Sequence, residues 1–495
     1  MRINTNMSAI IANAQLSTTE DRLSQSLERL SSGYKINHSK DNPAGLAISQ
    51  KMHAQIRGLE KAEMNAQDGV SVLQTAEGAM EEIQTMLVRM KELSVQAAND
   101  VNSVDERSAI QKEMDSLNKE IDRISADTDF NTKSLLNGNL ERRVYSNVDG
   151  VKQMEVTDGF ADGIYGITIT QDAEKAVIEG SAITMSNTET ITKQLAGSVN
   201  INGLKIDILE GDNLGTIATK LAQGTYQAGG TMINIAPGGT RDKATYGDTE
   251  GYESVAAGSG TSFVFLSSAY GSNEVMEITC DNPDLAAKLG LQTEQTETGK
   301  DVQADFTMAN GERVGFANSA TMSTYGETIT VRDNNDKTFV VKVPGNVVAD
   351  NGGTVSMEQE VTDMGVLRVH IGANENQIIS VNLPEVSVEA LGLDNLNVFT
   401  HLNAGKAIQA VDNAITRLSS IRSSIGAYQN RLEHTTSNLE VSEENLTAAI
   451  SRIMDTDMAE EMTEYTQQNV LAQAGTSMLS QANARPETAL QLLQR

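Results

Sequence analysis

Residues 411–453 read VDNAITRLSSIRSSIGAYQNRLEHTTSNLEVSEENLTAAISRI. Every seventh position is apolar: Val411, Leu418, Ile425, Leu432, Leu439, Leu446 and Ile453. An unbroken seven-residue spacing of this length is the seam of a long helix packed on another helix. At 1.5 Å per residue such a helix runs for about 65 Å or more. A seam of that length needs a partner of similar length, and the other end of the chain carries one. Leu59, Ala66, Leu73, Met80 and Leu87 keep the same spacing, with a second stripe at Ala76, Ile83, Met90 and Ala97. These positions predict a helix from about Pro43 to Asn99, about 85 Å long. Asp41 or Asn42 is its expected cap, and Pro43 suits its first turn. Ser103 and Glu106 then form a capping box. It opens a third helix, with Ile110, Met114, Leu117, Ile121 and Ile124 on one face.

Outside these helices the two extremities are weaker. Residues 5–32 carry Leu16, Leu23, Leu27 and Leu30, with Gly33 as a natural stop. Residues 456–484 carry Met458, Met462, Tyr465, Leu471, Ala474 and Met478 at helical spacing. Both are rich in Ala, Ser, Gln and Asn, and neither has a dense apolar face. Helices of this kind are marginal alone. They are expected to order only against each other or against neighbouring subunits.

Inward from the seams the composition changes. Thirty of the 39 glycines lie in residues 139–400, as do fourteen of the eighteen Tyr and Phe. Turn-rich, aromatic sequence is the signature of short strands. Candidate strands flank an Asn-Gly turn within Val199–Ile208, and others fall at Ser262–Leu266 and Val275–Ile278. Short helices are expected at Asn213–Gln223 and Asp284–Leu289, giving a weak strand–helix repeat. Thr328–Val331 and Thr338–Val343 flank an Asn-Asn-Asp turn, and Leu367–Ile371 and Ile378–Leu383 form a further hairpin. The fold class expected is mainly α with an inserted, β-rich α+β region. Long N- and C-terminal helices pair as a coiled-coil-like rod, and the middle forms an outer strand-rich domain. The segments are 1–42, an N-terminal terminal helix; 43–142, half of the rod; 143–362, the acidic outer domain; 363–453, a hairpin and the other half of the rod; and 454–495, a C-terminal terminal helix.

Chemistry is sparse. The net charge of −29 argues against nucleic acid or an anionic membrane as the main partner. No run of eighteen apolar residues occurs, so no transmembrane helix is expected. Met7–Ala14 is too short and too polar-flanked to read as a secretory signal. The single cysteine, Cys280, rules out an internal disulfide framework and reads as an inert thiol. His38, His53, His370, His401 and His434 stand in no metal-ligand spacing, and no nucleophile elbow or phosphate-binding loop occurs. Asp455, Asp457, Glu460 and Glu461 read as an acidic helix start, favoured by the helix dipole. Met80, Met86, Met90 and Met114 read as core or interface. No enzyme activity and no cofactor is expected.

Several motifs carry a specific resemblance. Leu27–Asn37 (LERLSSGYKIN), Asp41–Ile48 (DNPAGLAI), Asn65–Val72, Thr75–Ala79 and Lys91–Asn99 resemble the N-terminal signature of bacterial flagellins. Gly426–Arg431, Asn445–Ile453 and Gln473–Leu479 resemble the C-terminal one, and the hairpin around Gly372 and Ala390–Leu393 are also flagellin-like. The resemblance covers about 1–140 and 400–495. It implies a homopolymeric filament subunit, extracellular, serving motility. Export unfolded by the flagellar type III apparatus with its export chaperone is implied too, as are filament-cap and hook-junction partners. It assigns the terminal helices to the innermost tube of the filament, disordered in the free monomer. Some flagellins hold a zinc peptidase in the variable region, and the absent His-Glu-x-x-His argues against that here. The resemblance also implies recognition by the host Toll-like receptor that senses flagellin, with Arg89, Leu93 and Glu113 as contacts. Position 88 departs from the enteric pattern: Val88 stands where those flagellins have Gln, removing a polar contact. A hook–filament junction protein, or a flagellin carrying an adhesin or glycan-binding outer domain, are the alternative readings.

Overall fold

The computed structural model describes residues 6–99, 101–157, 159–235, 258, 260–306, 313–333 and 337–493. The chain opens with α1 (Met7–Ser32), α2 (Pro43–Ala97) and α3 (Val104–Asp127), followed by the small hairpin β1 (Asp129–Phe130) and β2 (Lys133–Ser134). The strand-rich region holds β3 (Arg143–Ser146), β4 (Lys152–Val156), β5 (Gly163–Gln171), β6 (Lys175–Glu179), β7 (Gly197–Ile201), β8 (Leu204–Ile208), α4 (Leu214–Gln227) and β9 (Gly230–Ile235). It continues through β10 (Ser262–Tyr270), β11 (Val275–Cys280), α5 (Pro283–Leu289), β12 (Glu294–Thr298), β13 (Gln303–Asp305), β14 (Thr321–Tyr325), β15 (Thr328–Asp333), β16 (Lys337–Lys342), α6 (Val347–Asn351) and β17 (Val355–Thr362). The hairpin β18 (Leu367–His370) and β19 (Ile378–Val381) leads to α7 (His401–Met454) and α8 (Met458–Leu493). Two compact units result. One joins Met1–Gly69, Val369–Ile379 and Arg431–Arg495, and the other joins Val70–Arg368 and Ser380–Asn430.

Local chemistry explains the helix ends. Asn42, not Asp41, caps α2: its Oδ1 accepts from the Gly45 N–H at 2.9 Å. Asp41 instead accepts from the Asn37 and His38 N–H groups, closing the turn before the helix. The capping box at α3 is complete, with both Ser103 and Glu106 bonds formed. Gly33 ends α1 at φ +76°, where only glycine is free of strain.

The buried stripe of α2 runs through Ala62, Ala66, Leu73, Ala76, Met80, Ile83, Leu87, Met90 and Ala97. On α7 it runs through Val411, Ala414, Leu418, Ile421, Ile425, Tyr428, Leu432 and Leu439. Within the second unit Arg422 bonds Glu77 and Gln84, and Lys91 pairs with Asp412 at 2.6 Å. Within the first, Gly69 lies against Leu432, where a Cβ would come within 3.2 Å of Leu432 Cδ1. Rising numbers on α2 meet falling numbers on α7, so the two helices run antiparallel. Leu59, Leu446 and Ile453, read as seam, are only half-buried.

The strand-rich region contains two cores. In the first, sheets ordered β13-β5-β17-β3 and β14-β15-β16-β4 enclose Ile167, Ile169, Val331 and Met357. Phe160, Tyr165, Phe316 and Phe339 pack there largely edge to face, Phe160 and Tyr165 at 5.4 Å. The second core is inserted between β5 and β13. Its sheets, β6-β10-β9 and β12-β11-β7-β8, pack with α4 and α5 around Phe263, Phe265, Met276, Leu221 and Leu285. The two strand–helix stretches read as a weak repeat share this single core. The β7–β8 turn is Asn202-Gly203, at φ +47° and +84°, the left-handed pair that a two-residue hairpin needs. The Asn-Asn-Asp turn expected between β15 and β16 lies outside the described residues.

Two adjacent buried charges stand where the chain enters the strand-rich region. Arg142 pairs with Asp162 at 2.8 Å and Asp363 at 2.7 Å, and donates to the Phe160 carbonyl. Glu141 accepts from Gln153 Nε2 at 3.0 Å and from the Glu385 N–H at 3.2 Å. Burial pushes the Glu141 carboxyl up to about 7, although these bonds and the charge of Arg417 favour its ionised form.

Two outcomes follow. Leu418→Ala, at a fully buried seam position, should lower the stability of the second unit by about 2–5 kcal/mol in urea denaturation. Val441→Ala, at an exposed position of α7, should leave the curve in place. For Glu141, the unfolded carboxyl ionises in its ordinary range, so the folded chain binds the extra proton between there and about pH 7. Its contribution to stability is full at the acidic end and is lost as pH rises through about 7. Glu141→Gln should therefore gain on wild type steadily as pH rises across that window. Parallel stability–pH curves would show that Glu141 ionises normally.

Candidate functional site

Each unit presents one candidate surface. In the first unit α1 and α8 pack along their lengths. The Asn6 side chain caps α1 through Oδ1, accepting from the Ala9 N–H, while its Nδ2 donates to the Ala482 carbonyl at 2.9 Å. Leu16 packs over Gly475, where an added Cβ would approach Leu16 Cδ1 to 3.2 Å. Ser26 donates to the Glu461 carbonyl, and Arg29 lies 3.6 Å from the Glu461 carboxylate. At the near end the chains after α1 and α7 form a bridge: Lys35 N–H donates to Met454, and Thr456 N–H to Gly33. Asp457 accepts from the Ala459 and Glu460 N–H groups and so caps α8. With Asp455 accepting from the Ser451 hydroxyl, Asp455, Asp457 and Glu461 each have a separate structural partner rather than a shared centre.

What α1 and α8 leave uncovered is as informative. Met7, Ile10, Ile11 and Leu27 on α1 are exposed, as are Met458, Met462, Val470, Leu471 and Met478 on α8. Met478 and Ile11 are each 64 % exposed. Isolated exposed apolar residues are ordinary, but nine fall on this one helix pair among the described residues. Sequence periodicity located these residues yet could not show that the α1–α8 pairing leaves them outside.

The second surface carries the other predicted residues. Arg89 on α2 bonds Glu113 on α3, with Nε at 3.0 Å and the terminal nitrogen at 2.8 Å, and also reaches Glu92 at 3.1 Å. The hydrogen bond to Glu113 leads in holding the Arg89 pKa above its ordinary value. All three side chains are solvent-exposed. Val88 and Val95 are exposed beside them. Leu93 differs: it is 1 % exposed, packed in the helical core with Met90 and Ala97. It stands four residues, about one helical turn, after Arg89, yet it is covered by protein. Leu93 thus supports the helix from beneath and offers no surface. Of the seam residues, Leu73, Leu87, Val411, Leu418, Ile425, Leu432 and Leu439 are buried, and Leu59, Leu446 and Ile453 are partly open. Arg422, with its bonds to Glu77 and Gln84, is a polar clamp that an apolar pattern does not reveal.

Comparison with known proteins agrees with this architecture. Residues 3–141 match the model of the bacterial flagellin N-terminal helical region, and residues 408–493 that of the C-terminal helical region. The chain is 33% identical to a flagellin of Clostridium tyrobutyricum, over 98% of this chain and all of that one. It is 31% identical to flagellin E of Vibrio cholerae, over all of this chain and 99% of that one. A flagellin of Salmonella muenchen is 29% identical over 99% of each. Paired helical ends, a strand-rich middle and likeness over the whole length together place this chain in the bacterial flagellin family, the structural subunits of the extracellular flagellar filament.

Proposed function

We propose that this flagellin polymerises through the α1–α8 pair, which becomes the inner wall of the filament. The observation that carries this is the set of nine exposed apolar residues on those two helices. Each is already about half covered, so completing its burial contributes roughly 1 kcal/mol, and a repeating contact across all of them supplies a drive to assemble. The half-buried ends of the α7 seam, Leu446 and Ile453, add surface for the same purpose. Family membership supports the rest of the assembly route: type III export with a chaperone, followed by growth between hook-junction and cap proteins. Removing residues 1–42 and 454–495 should leave a soluble folded product that does not extend filament seeds. Seeded growth by that fragment, seen by electron microscopy, would overturn the inner-wall assignment.

A second reading concerns the monomer. Arg89 and Glu113 form an exposed charged pair flanked by Val88 and Val95, a small polar site with an apolar rim. This composition suits a protein interface. Together with the family resemblance it supports recognition by the host Toll-like receptor that senses flagellin. Arg89 and Glu113 make the contact, and buried Leu93 holds the helix that presents them. Exposed ion pairs contribute little to folding, so each can be removed without unfolding the chain. Arg89→Ala and Glu113→Ala should each weaken binding of purified monomer to the receptor ectodomain by about tenfold or more, measured by surface plasmon resonance. Unchanged affinity in both variants would move the site elsewhere, and no binding by wild type would remove the receptor role.

A further inference from the structure

The second unit contains a cleft of about 700 Å³ that neither the seam nor the Arg89 surface uses. Its floor is one face of the β14–β15–β16 sheet, where Tyr325, Thr328 and Lys342 stand in register across three strands. The 389–397 segment and the first turns of α7 form one wall, and the loop after β10 forms the other. The volume falls within the roughly 300–1,000 Å³ of small-molecule sites.

The lining chemistry narrows the ligand. Its two ammonium groups are already paired with carboxylates. Lys406 holds Glu274 at 3.0 Å, and Lys342 sits 3.6 Å from Asp394 and 3.9 Å from Glu327. The side-chain amides of Asn273, Gln409 and Asn413 have no hydrogen-bond partner among the described residues, and Tyr325 is 63 % exposed. An apolar ligand would strip water from these groups without replacing its bonds. An anion would meet four carboxylates, Glu274, Glu327, Glu389 and Asp394, against two ammonium groups, in a chain of charge −29. Among the described residues no cluster of three His, Cys, Asp or Glu stands ready to ligate a metal. A neutral ligand dense in hydroxyl groups satisfies every condition. Each amide offers two donors and an acceptor, and the tyrosine ring offers a flat apolar face.

We propose that this cleft binds a short neutral oligosaccharide, so that the second unit recognises a glycan at the junction of its strand-rich region and α7. The bound sugar exchanges hydroxyl groups for the waters on Asn273, Gln409 and Asn413 and lies against Tyr325. This rests on the cleft alone and not on the assembly or receptor readings.

The test uses full-length monomer and saturation-transfer NMR with lactose, mannobiose, maltotriose and chitotriose, and with sialyllactose as the anionic counterpart of lactose. At least one neutral sugar should bind. Tyr325→Ala and Asn413→Ala, both at exposed positions, should each weaken that sugar about tenfold, with circular dichroism confirming an unchanged fold. Tyr226→Ala, at an exposed tyrosine outside the cleft, should leave binding as it was. The proposal is overturned if none of the neutral sugars binds, if both cleft variants bind like wild type, or if Tyr226→Ala loses as much as they do. Tighter binding of sialyllactose than of lactose would overturn the assignment to a neutral ligand.

Discussion

Everything in this molecule hangs on the burial of two heptad stripes, one on α2 and one on α7, which lie more than three hundred residues apart in sequence. Neither helix buries its own apolar face. Leu73, Leu87, Leu418 and Leu432 lose their water only when the two chain ends come together. That long-range closure carries a large entropy cost, and a long uninterrupted seam offsets it because each added heptad brings further burial without further closure. Alanines at positions 62, 66, 76, 407 and 414 keep the backbones close, and larger side chains at 80, 83, 87 and 418 fill the space between. Arg422, bonded to Glu77 and Gln84, adds direction to a contact that apolar packing alone leaves free to slide.

Once the ends are paired, the middle of the chain is free to fold on its own terms. It builds two cores rich in β-branched and aromatic residues. The second core is inserted between β5 and β13, so the first must close around the chain leaving and returning. β3 and β17 pair with Arg143 opposite Thr362, bringing entry and exit side by side. Directly before this pair, Arg142 bonds Asp162, and Glu141 bonds Gln153 and the Glu385 N–H. Buried charges are costly. Here one is neutralised by two aspartates, and the other is shifted toward its protonated form by burial.

The terminal helices follow a different logic. α1 and α8 have too little apolar surface to form a seam like that of α2 and α7, and part of what they have faces outward. In the assembly proposed above, the same residues that make the isolated helices marginal would provide the polymer with its repeating contact.

Much of this was legible from residue spacing. Heptad registers, the Ser103–Glu106 capping box, the Gly33 stop and the Asn202-Gly203 turn depend on neighbours a few positions away, and such local constraints are written directly in sequence. The motifs around Leu27–Ile48 and Gly426–Ile453 carried the family. Partner identity in three dimensions was not legible. Leu93 has the spacing of a surface partner to Arg89, yet it is buried, because a seven-residue pattern cannot say how far round the helix the core extends when a third helix packs beside it. Asp41 and Asn42 were equal candidates for the α2 cap, and only the path of the preceding turn separated them. The two cores of the middle region, the buried Glu141 and the cleft beside Tyr325 arise from strands distant in sequence. Burial and electrostatics at such places are sums over neighbours that only the folded chain brings together.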